Sequence, residues 1–447
     1  MKQLSLFLLL VLAGYLLSCK HEPLWGNDQA LQAALNNVSP TGSADHYIMP
    51  SGADLSVLPN QDVKNPVTAA KVALGKMLFY ETGIGLKAKD GSSMATYSCS
   101  SCHVPTSSFT AGRFQGIADG ALGFGEHGEG RVKNPVYSGD SVDAQGARPL
   151  PVINLAYVTN ALWAGTFGSF GANLGTESVW HQDTLVEINF EGLQGLESNN
   201  FRALIVHRQV INKAVTDSLG YTAMFDEAFP EIPASERYTQ KVAAFAIAAY
   251  FRTILTNKAP FQRWLKGEND AMTEEQKRGA LLFFGKAGCY KCHRSPSLNN
   301  MAFFSVGVNG LFQSGYNVFA TGPDDKRNLG RGGFTKQDAD MYKFKVPQLY
   351  NLKDAGFYFH GASKTSLHAV VEYFNAGVPE NPLIPASQIS SLFRPLGLTP
   401  EEVADLTEFL ENGLFDPDML RYVPTQTMSG NCFPNNDPQS RKDMGCQ

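Results

Sequence analysis

Two short strings in this chain combine cysteine and histidine at a spacing that can attach a cofactor. Residues 99–103 read CSSCH and residues 289–293 read CYKCH, so both have the form C-x-x-C-H. This spacing is typical of covalent c-type haem attachment, in which the adjacent histidine binds the iron. A disulfide and half of a zinc site are the alternatives, although zinc would need further ligands close by in the sequence. The predicted attachment residues are Cys99, Cys102 and His103 for the first haem, and Cys289, Cys292 and His293 for the second.

The beginning of the chain predicts export and a lipid anchor. Lys2 is followed by an apolar run from Leu4 to Leu17, which is too short for a permanent membrane span. The run ends in LLSC, which resembles a bacterial lipobox with Cys19 as the acylated residue. An ordinary signal peptide with a stray cysteine is the alternative. We therefore expect the mature protein in the periplasm or cell envelope, attached to a membrane through lipid.

Two further cysteines, Cys432 and Cys446, lie in a polar tail. In an oxidising compartment they are expected to form a disulfide, which would close a short loop that has few apolar residues of its own. The net charge of the chain is −5, so the sequence offers no basic footprint for nucleic acid. Nucleic acid is therefore not expected among the partners.

A weak internal repeat predicts two related domains. Residues 71–80 and 277–284 share a G-x-x-L-F-aromatic core, and each segment precedes one C-x-x-C-H motif. Both are typical of the N-terminal helix of a cytochrome c fold. Residues 241–255 form an apolar helix that closes the first half, and a capping box at Thr399 begins a helix that closes the second.

The expected fold class is mainly α, with two cytochrome c-type haem domains and long loops. The expected organisation is a lipoprotein signal peptide at 1–19, a tether at 20–62, an N-terminal cytochrome c domain at 63–258, a C-terminal cytochrome c domain at 259–425 and a tail with the disulfide at 426–447.

Several strings resemble the bacterial dihaem cytochrome c peroxidase family, which also contains the methylamine dehydrogenase maturase. They are residues 98–105 with Phe109, residues 148–157, residues 281–293, residues 344–352, residues 358–361 and residues 367–377. The later strings resemble the family's F-K-x-P-x-L-x-N and P-Y-x-H-D-G sequences, although the Asp is absent here. The resemblance extends over residues 65–425.

The resemblance implies a peroxidase with two covalently bound haem c groups. It would reduce hydrogen peroxide to water with electrons from a small electron-transfer protein, a cytochrome c or a cupredoxin. The haem on His103 would react with peroxide and the haem on His293 would receive electrons. A maturase-like dihaem oxidase acting on a protein substrate and a non-catalytic dihaem electron-transfer cytochrome are the alternatives. A homodimer is left open.

The resemblance also implies a carboxylate that shuttles protons at the peroxidatic haem, in a region where this chain departs from the family. Aligning Gly195 with the family's Gly-Pro puts Glu191 nearest to this acid, with Glu187 one helical turn before it. A calcium ion between the haems is left open as well. Arg148 stands where the family has the Asn that would bind this ion.

The sixth ligand of the C-terminal haem has several candidates. Fourteen positions beyond His360, where the family has a Met or a Tyr, this chain has Phe374, which has no donor atom. Tyr373, Met341 or no protein ligand are the alternatives. His127, in the loop after the first motif, is a candidate for a detachable distal ligand of the first haem.

Overall fold

The structure, a computed structural model, describes residues 26–446. The expected signal peptide and Cys19 lie outside the described residues. Within them the chain is rich in helix, and no helix has both the length and the apolar character to cross a membrane. The α-helices are α1 (Asn27–Val38), α2 (Ala69–Tyr80), α3 (Gly195–Val206), α4 (Lys213–Leu219), α5 (Thr222–Ala228), α6 (Ala234–Arg237), α7 (Gln240–Thr253), α8 (Pro260–Leu265), α9 (Glu274–Phe284), α10 (Arg331–Thr335), α11 (Leu367–Ala376), α12 (Pro400–Glu408) and α13 (Pro438–Asp443). Two antiparallel ladders pair β1 (Ala121–Leu122) with β2 (Val132–Lys133), and β3 (Phe303–Phe304) with β4 (Phe344–Lys345).

In the first half, helices α2 and α7 cross at close range. The side chains of Thr68 and Thr239 cap their N-termini by accepting from backbone N–H groups one turn into each helix. A Cβ atom on Gly75 would lie 2.0 Å from the carbonyl oxygen of Ala246, so only glycine permits this crossing. The crossing lies in a buried cluster that includes Leu74 and most of α7.

The second half repeats this construction. Thr273 and Gln276 form a capping box that begins α9, and a second capping box begins α12. A Cβ atom on Gly279 would lie 2.0 Å from the carbonyl oxygen of Asp405 in α12. Gly279 is the glycine of the second G-x-x-L-F repeat, as Gly75 is of the first. The repeat therefore encodes the same helix crossing in two separate hydrophobic cores.

Residues 26–62 differ from the extended tether that the composition predicted. They contain α1, whose Leu31 and Leu35 are fully buried in the core of the second half. Asp28 on the same helix accepts hydrogen bonds from the Trp264 indole at 2.7 Å and from Lys277 Nζ at 3.0 Å. The polar composition concealed two leucines at i, i+4 spacing, which give the helix one apolar stripe.

The C-terminal tail follows the helices of the second half in sequence but packs against the first half. Cys432 and Cys446 are joined in a disulfide with a Cα–Cα distance of 6.0 Å. The carbonyl oxygen of Pro434 accepts from Ser98 Oγ at 2.9 Å and from Ser101 Oγ at 3.1 Å, at the first C-x-x-C-H motif. The first described helix thus packs on the second core, and the tail packs on the first haem motif.

Candidate functional site

The first motif forms a tight turn that presents two thiols and one imidazole. Cys99 and Cys102 are free thiols, and burial raises the pKa of Cys99 to about 11 and that of Cys102 to about 12. The Nδ1 atom of His103 faces the carbonyl oxygen of Phe109 at 3.2 Å, which leaves Nε2 for an iron ion. Burial lowers the pKa of His103 to about 4, so its imidazole is neutral, as metal binding requires.

Unpartnered polar atoms lie near this motif. Arg113 Nη1 and Gln209 Nε2 are buried and have no hydrogen-bond partner among the described residues. Gln209 also accepts from Cys99 Sγ at 3.6 Å, which places it beside the motif. A Cβ atom on Gly116 would lie 2.9 Å from Cys102 Sγ, so this glycine leaves room beside the thiol. Buried donors of this kind normally have partners, and they fit the polar edge of a covalently held haem.

The second motif opens into a cavity of about 520 Å³, within the range of cofactor sites. Cys289, Cys292 and His293 all line this cavity. His293 Nδ1 faces the carbonyl oxygen of Leu298 at 2.6 Å, which orients the ring as in the first motif. Burial lowers the pKa of His293 to about 4, and its imidazole is likewise neutral.

A buried lysine also lines the cavity. Lys345, on β4, is 4% exposed, and its ammonium group has no carboxylate partner among the described residues. Burial lowers the pKa of Lys345 to about 7. A buried cation without a partner is costly, and the acidic propionate groups of a haem would compensate it. The residues around both motifs therefore fit haem c.

Three residues connect the halves beside the cavity. Trp163 and Arg148, from the first half, line it together with His360 from the second. The Trp163 indole N–H donates to the carbonyl oxygen of Arg148 at 2.7 Å, and the Arg148 backbone N–H donates to the carbonyl oxygen of His360 at 2.7 Å. The His360 ring stacks on Phe344, with centroids 3.6 Å apart. Sequence reasoning gave neither Trp163 nor His360 a role, although His360 lies in a string that resembles the family and Trp163 lies where the chain departs from it.

Comparison with known proteins agrees with this architecture. The family model for di-haem cytochrome c peroxidase matches residues 69–270. The methylamine utilization protein MauG of Methylorubrum extorquens is 31% identical over 79% of this chain and 80% of its own length. The chain belongs to the di-haem cytochrome c peroxidase family. The cytochrome-c peroxidase IdrP1 of Denitromonas iodatirespirans is 30% identical over 78% of this chain and 82% of its own. Among solved structures, a MauG-like protein associated with microbial copper homeostasis has a similar fold, with a TM-score of 0.59 and 24% identity over 83% of this chain and 96% of its own.

The two carboxylates expected at the peroxidatic haem are partly exposed and form ion pairs. Glu191 is 40% exposed and forms an ion pair with Lys241. Glu187 is 48% exposed and pairs with His181 at 3.5 Å. Both belong to a short turn before α3, away from the cavity of the second motif. The alignment rested on one glycine next to an insertion, and this could not determine which way the turn faces.

The candidates for axial ligands have other contacts in this structure. The Tyr373 hydroxyl donates to the carbonyl oxygen of Val306 at 2.6 Å, and neither Tyr373 nor Met341 is among the described residues that line the cavity. Phe374 does line it, as the count along the chain indicated. The His127 ring is 58% exposed and lies 4.0 Å from Glu126. Of the three positions considered for the C-terminal haem, only Phe374, which has no donor atom, lines the cavity.

Proposed function

We propose that this protein is a di-haem c-type peroxidase that reduces hydrogen peroxide to water. One peroxide accepts two electrons and two protons, its O–O bond breaks, and two water molecules form. The observation that carries this proposal is the contact between the two haem-binding halves through Arg148, Trp163 and His360, beside the cavity of the second motif. Two one-electron cofactors joined in this way suit a two-electron reduction supplied by single-electron steps.

When bound, the two haems would supply the redox chemistry, and the chain would hold and separate them. His103 and His293 would bind the irons through Nε2, because their Nδ1 atoms face backbone carbonyls. The thiols of each motif would form the covalent links. The hydrophobic cores around the two motifs would exclude water from most of each cofactor.

The difference in exposure of the motifs supports unequal roles. In the first motif, Ser100 and Ser101 are buried. In the second, Tyr290 is half-buried and Lys291 is exposed. An electron-donor protein has to approach an accessible haem edge, which favours electron entry at the His293 motif. The haem on His103 is then assigned to peroxide. The donor would be a small cytochrome c or cupredoxin.

A maturase-like oxidase acting on a protein substrate is the second candidate, since a MauG protein is among the relatives. Tyrosine ligation of the C-terminal haem would favour that branch. Tyr373 instead donates its hydroxyl to Val306, so the structure offers no support for tyrosine ligation. This favours the peroxidase.

The experiment uses purified protein with both haems, fully reduced without oxygen and then mixed with peroxide. We expect rapid oxidation with two haems oxidised per peroxide, and steady turnover with a reduced small cytochrome or cupredoxin. The variant His103→Gly should lose peroxide turnover, whereas the spectrum of the haem on His293 should persist. Two haems that resist peroxide would instead favour a simple electron-transfer cytochrome.

We also propose that the protein is held at the cell envelope by lipid on Cys19. The support is the apolar run that ends in LLSC. Mass spectrometry of the mature N-terminus should show an acylated Cys19. The variant Cys19→Ala should release exported protein from membranes, and unchanged membrane association with an unmodified N-terminus would reject the anchor.

A further inference from the structure

The guanidinium group of Arg148 lies buried where the two halves meet, and the residue is 3% exposed. Its Nη1 donates to the carbonyl oxygens of Ala111 at 3.0 Å and Arg113 at 2.9 Å, which follow the first haem motif. Its Nε donates to Phe357 at 2.8 Å and its Nη2 to Ala355 at 2.5 Å, both backbone carbonyls of the second half. One side chain thus joins four carbonyl groups from two domains.

No carboxylate in residues 26–446 lies within ion-pair distance of this guanidinium. Burial lowers the pKa of Arg148 to about 9, so the group still carries its charge at neutral pH. The positive charge is therefore compensated by carbonyl dipoles. Carbonyl oxygens gathered around a buried cation are the kind of ligand that calcium prefers. Here the planar guanidinium group of arginine binds these carbonyl oxygens, because it presents five N–H donors in fixed directions.

A calcium ion at this junction, which the resemblance left open, does not fit the residues present. The four carbonyl oxygens already accept from Arg148, and its fixed charge would repel a divalent cation. In the described part of the chain, no group of three or more His, Cys, Asp or Glu side chains could hold a metal ion. We propose that the Arg148 guanidinium replaces a bound cation at the junction of the two haem domains, so that this protein needs no calcium.

The same residue also binds Trp163 and His360 beside the cavity of the second motif. Its carbonyl oxygen accepts from the Trp163 indole, and its backbone N–H donates to the carbonyl oxygen of His360. The guanidinium binds carbonyl oxygens of both halves, and these bonds fix the position of the Arg148 backbone. Arg148 is therefore a positioning residue for the junction, and losing its charge should affect the spectra of both haems as well as stability.

The first test treats the purified di-haem protein with an excess of the chelator EGTA. We expect calcium content well below one ion per chain before treatment, measured by elemental analysis. The melting temperature and the visible and EPR spectra should not change afterwards. Stoichiometric calcium that is lost with a shift in spectra or melting temperature would overturn the proposal. These measurements do not require turnover, so they stand apart from the peroxidase assignment.

The second test compares Arg148→Asn and Arg148→Lys with the surface variant Arg263→Asn as a matched control. Removing the guanidinium leaves carbonyls unpaired, so we expect the melting temperature of Arg148→Asn to fall by about 5 °C or more. Added calcium, but not magnesium, should recover part of this loss in Arg148→Asn. Arg148→Lys should remain destabilised without a calcium response, because its ammonium group is compact and lacks the planar fork.

Arg263 forms an exposed pair with Glu268, and Arg263→Asn should show neither effect. If Arg148→Asn is as stable as the wild type, or shows no calcium response, the guanidinium is not replacing a cation. If Arg148→Asn does not fold, Arg148→Lys and the chelator experiment on the wild type still test whether the guanidinium replaces a calcium ion.

Discussion

The rings of Trp163 and His360 face each other across the boundary between the two halves, with centroids 6.2 Å apart and planes at 69°. Phe344 stacks on His360 at 15° and also contacts Trp163, with centroids 6.4 Å apart. This aromatic group belongs to both domains and lines the cavity of the second haem motif. It forms a direct side-chain connection between the two haem-binding halves.

Trp163→Phe should slow electron transfer between the haems while each haem remains bound. The substitution keeps an aromatic ring but removes the N–H that donates to Arg148, leaving a buried carbonyl unpaired at a cost of about 1–3 kcal/mol. Half-reduced protein followed by rapid spectroscopy gives the rate, and denaturant unfolding gives the stability. Trp163→Ala should cost more than Trp163→Phe because it also removes the contact of the ring with His360. An unchanged transfer rate in both variants would exclude the indole from the electron path.

Glu191→Gln should leave peroxide turnover nearly unchanged. A positioned proton donor would be worth roughly 10² to 10⁴ in rate, which is what the sequence alignment implied. The exposed ion pair with Lys241 is instead worth at most about 1 kcal/mol of stability. Steady-state kinetics of Glu191→Gln, with Glu187→Gln beside it, tests this directly. A loss of turnover in the alignment's range would restore Glu191 as the acid.

The C-terminal haem should respond to residue 374 and not to residue 373. Tyr373→Phe removes a hydroxyl that binds Val306, so the haem spectrum should stay the same. Phe374→Met places a thioether in the cavity and should produce a six-coordinate, low-spin signal in EPR. A spectral change in Tyr373→Phe alone would show that its phenol reaches the iron.

Breaking the buried pair between Glu197 and Arg252 should destabilise the first domain strongly. Both side chains are fully buried, and Arg252 Nη1 donates to Glu197 Oε1 at 2.6 Å. Removing one partner leaves an uncompensated charge, so Glu197→Ala should cost roughly 3–5 kcal/mol in denaturant unfolding. The exposed pair of Lys213 and Asp217 is the control, and Lys213→Ala should change stability little. Equal losses in the two variants would argue against a special cost of the buried charge.

Stability should fall as pH rises through the pKa of His207. Burial alone would lower this pKa, but the Asp143 carboxylate at 2.8 Å outweighs burial and the repulsion from Arg208, and the pKa is raised. A raised pKa means that the charged form stabilises the fold. This contribution is complete below about 6.5, the ordinary value, and is lost above it as pH passes the folded-state pKa. Unfolding measured from pH 5.5 to 8.5 should show this loss, and His207→Gln should remove it.

Local sequence patterns predicted the features that depend on neighbouring residues. The spacing within C-x-x-C-H specifies thiols and imidazole at one site, whatever surrounds them. The capping box at Thr399 begins the helix that it predicted. The glycines of the repeat, Gly75 and Gly279, mark both helix crossings because only they allow such close approach.

Contacts between distant residues could be read only from the folded chain. One position along a helix turns a side chain by about 100°, so Phe374 faces the cavity while Tyr373 faces Val306. The direction of the turn that carries Glu191 follows from packing across an insertion, which no local pattern encodes. The environment of Arg148 is made by carbonyls 35 to 209 residues away in sequence, from both domains. Such contacts depend on the path of the whole chain. The part that the Arg148 guanidinium plays at the junction could therefore be recognised only in the folded protein.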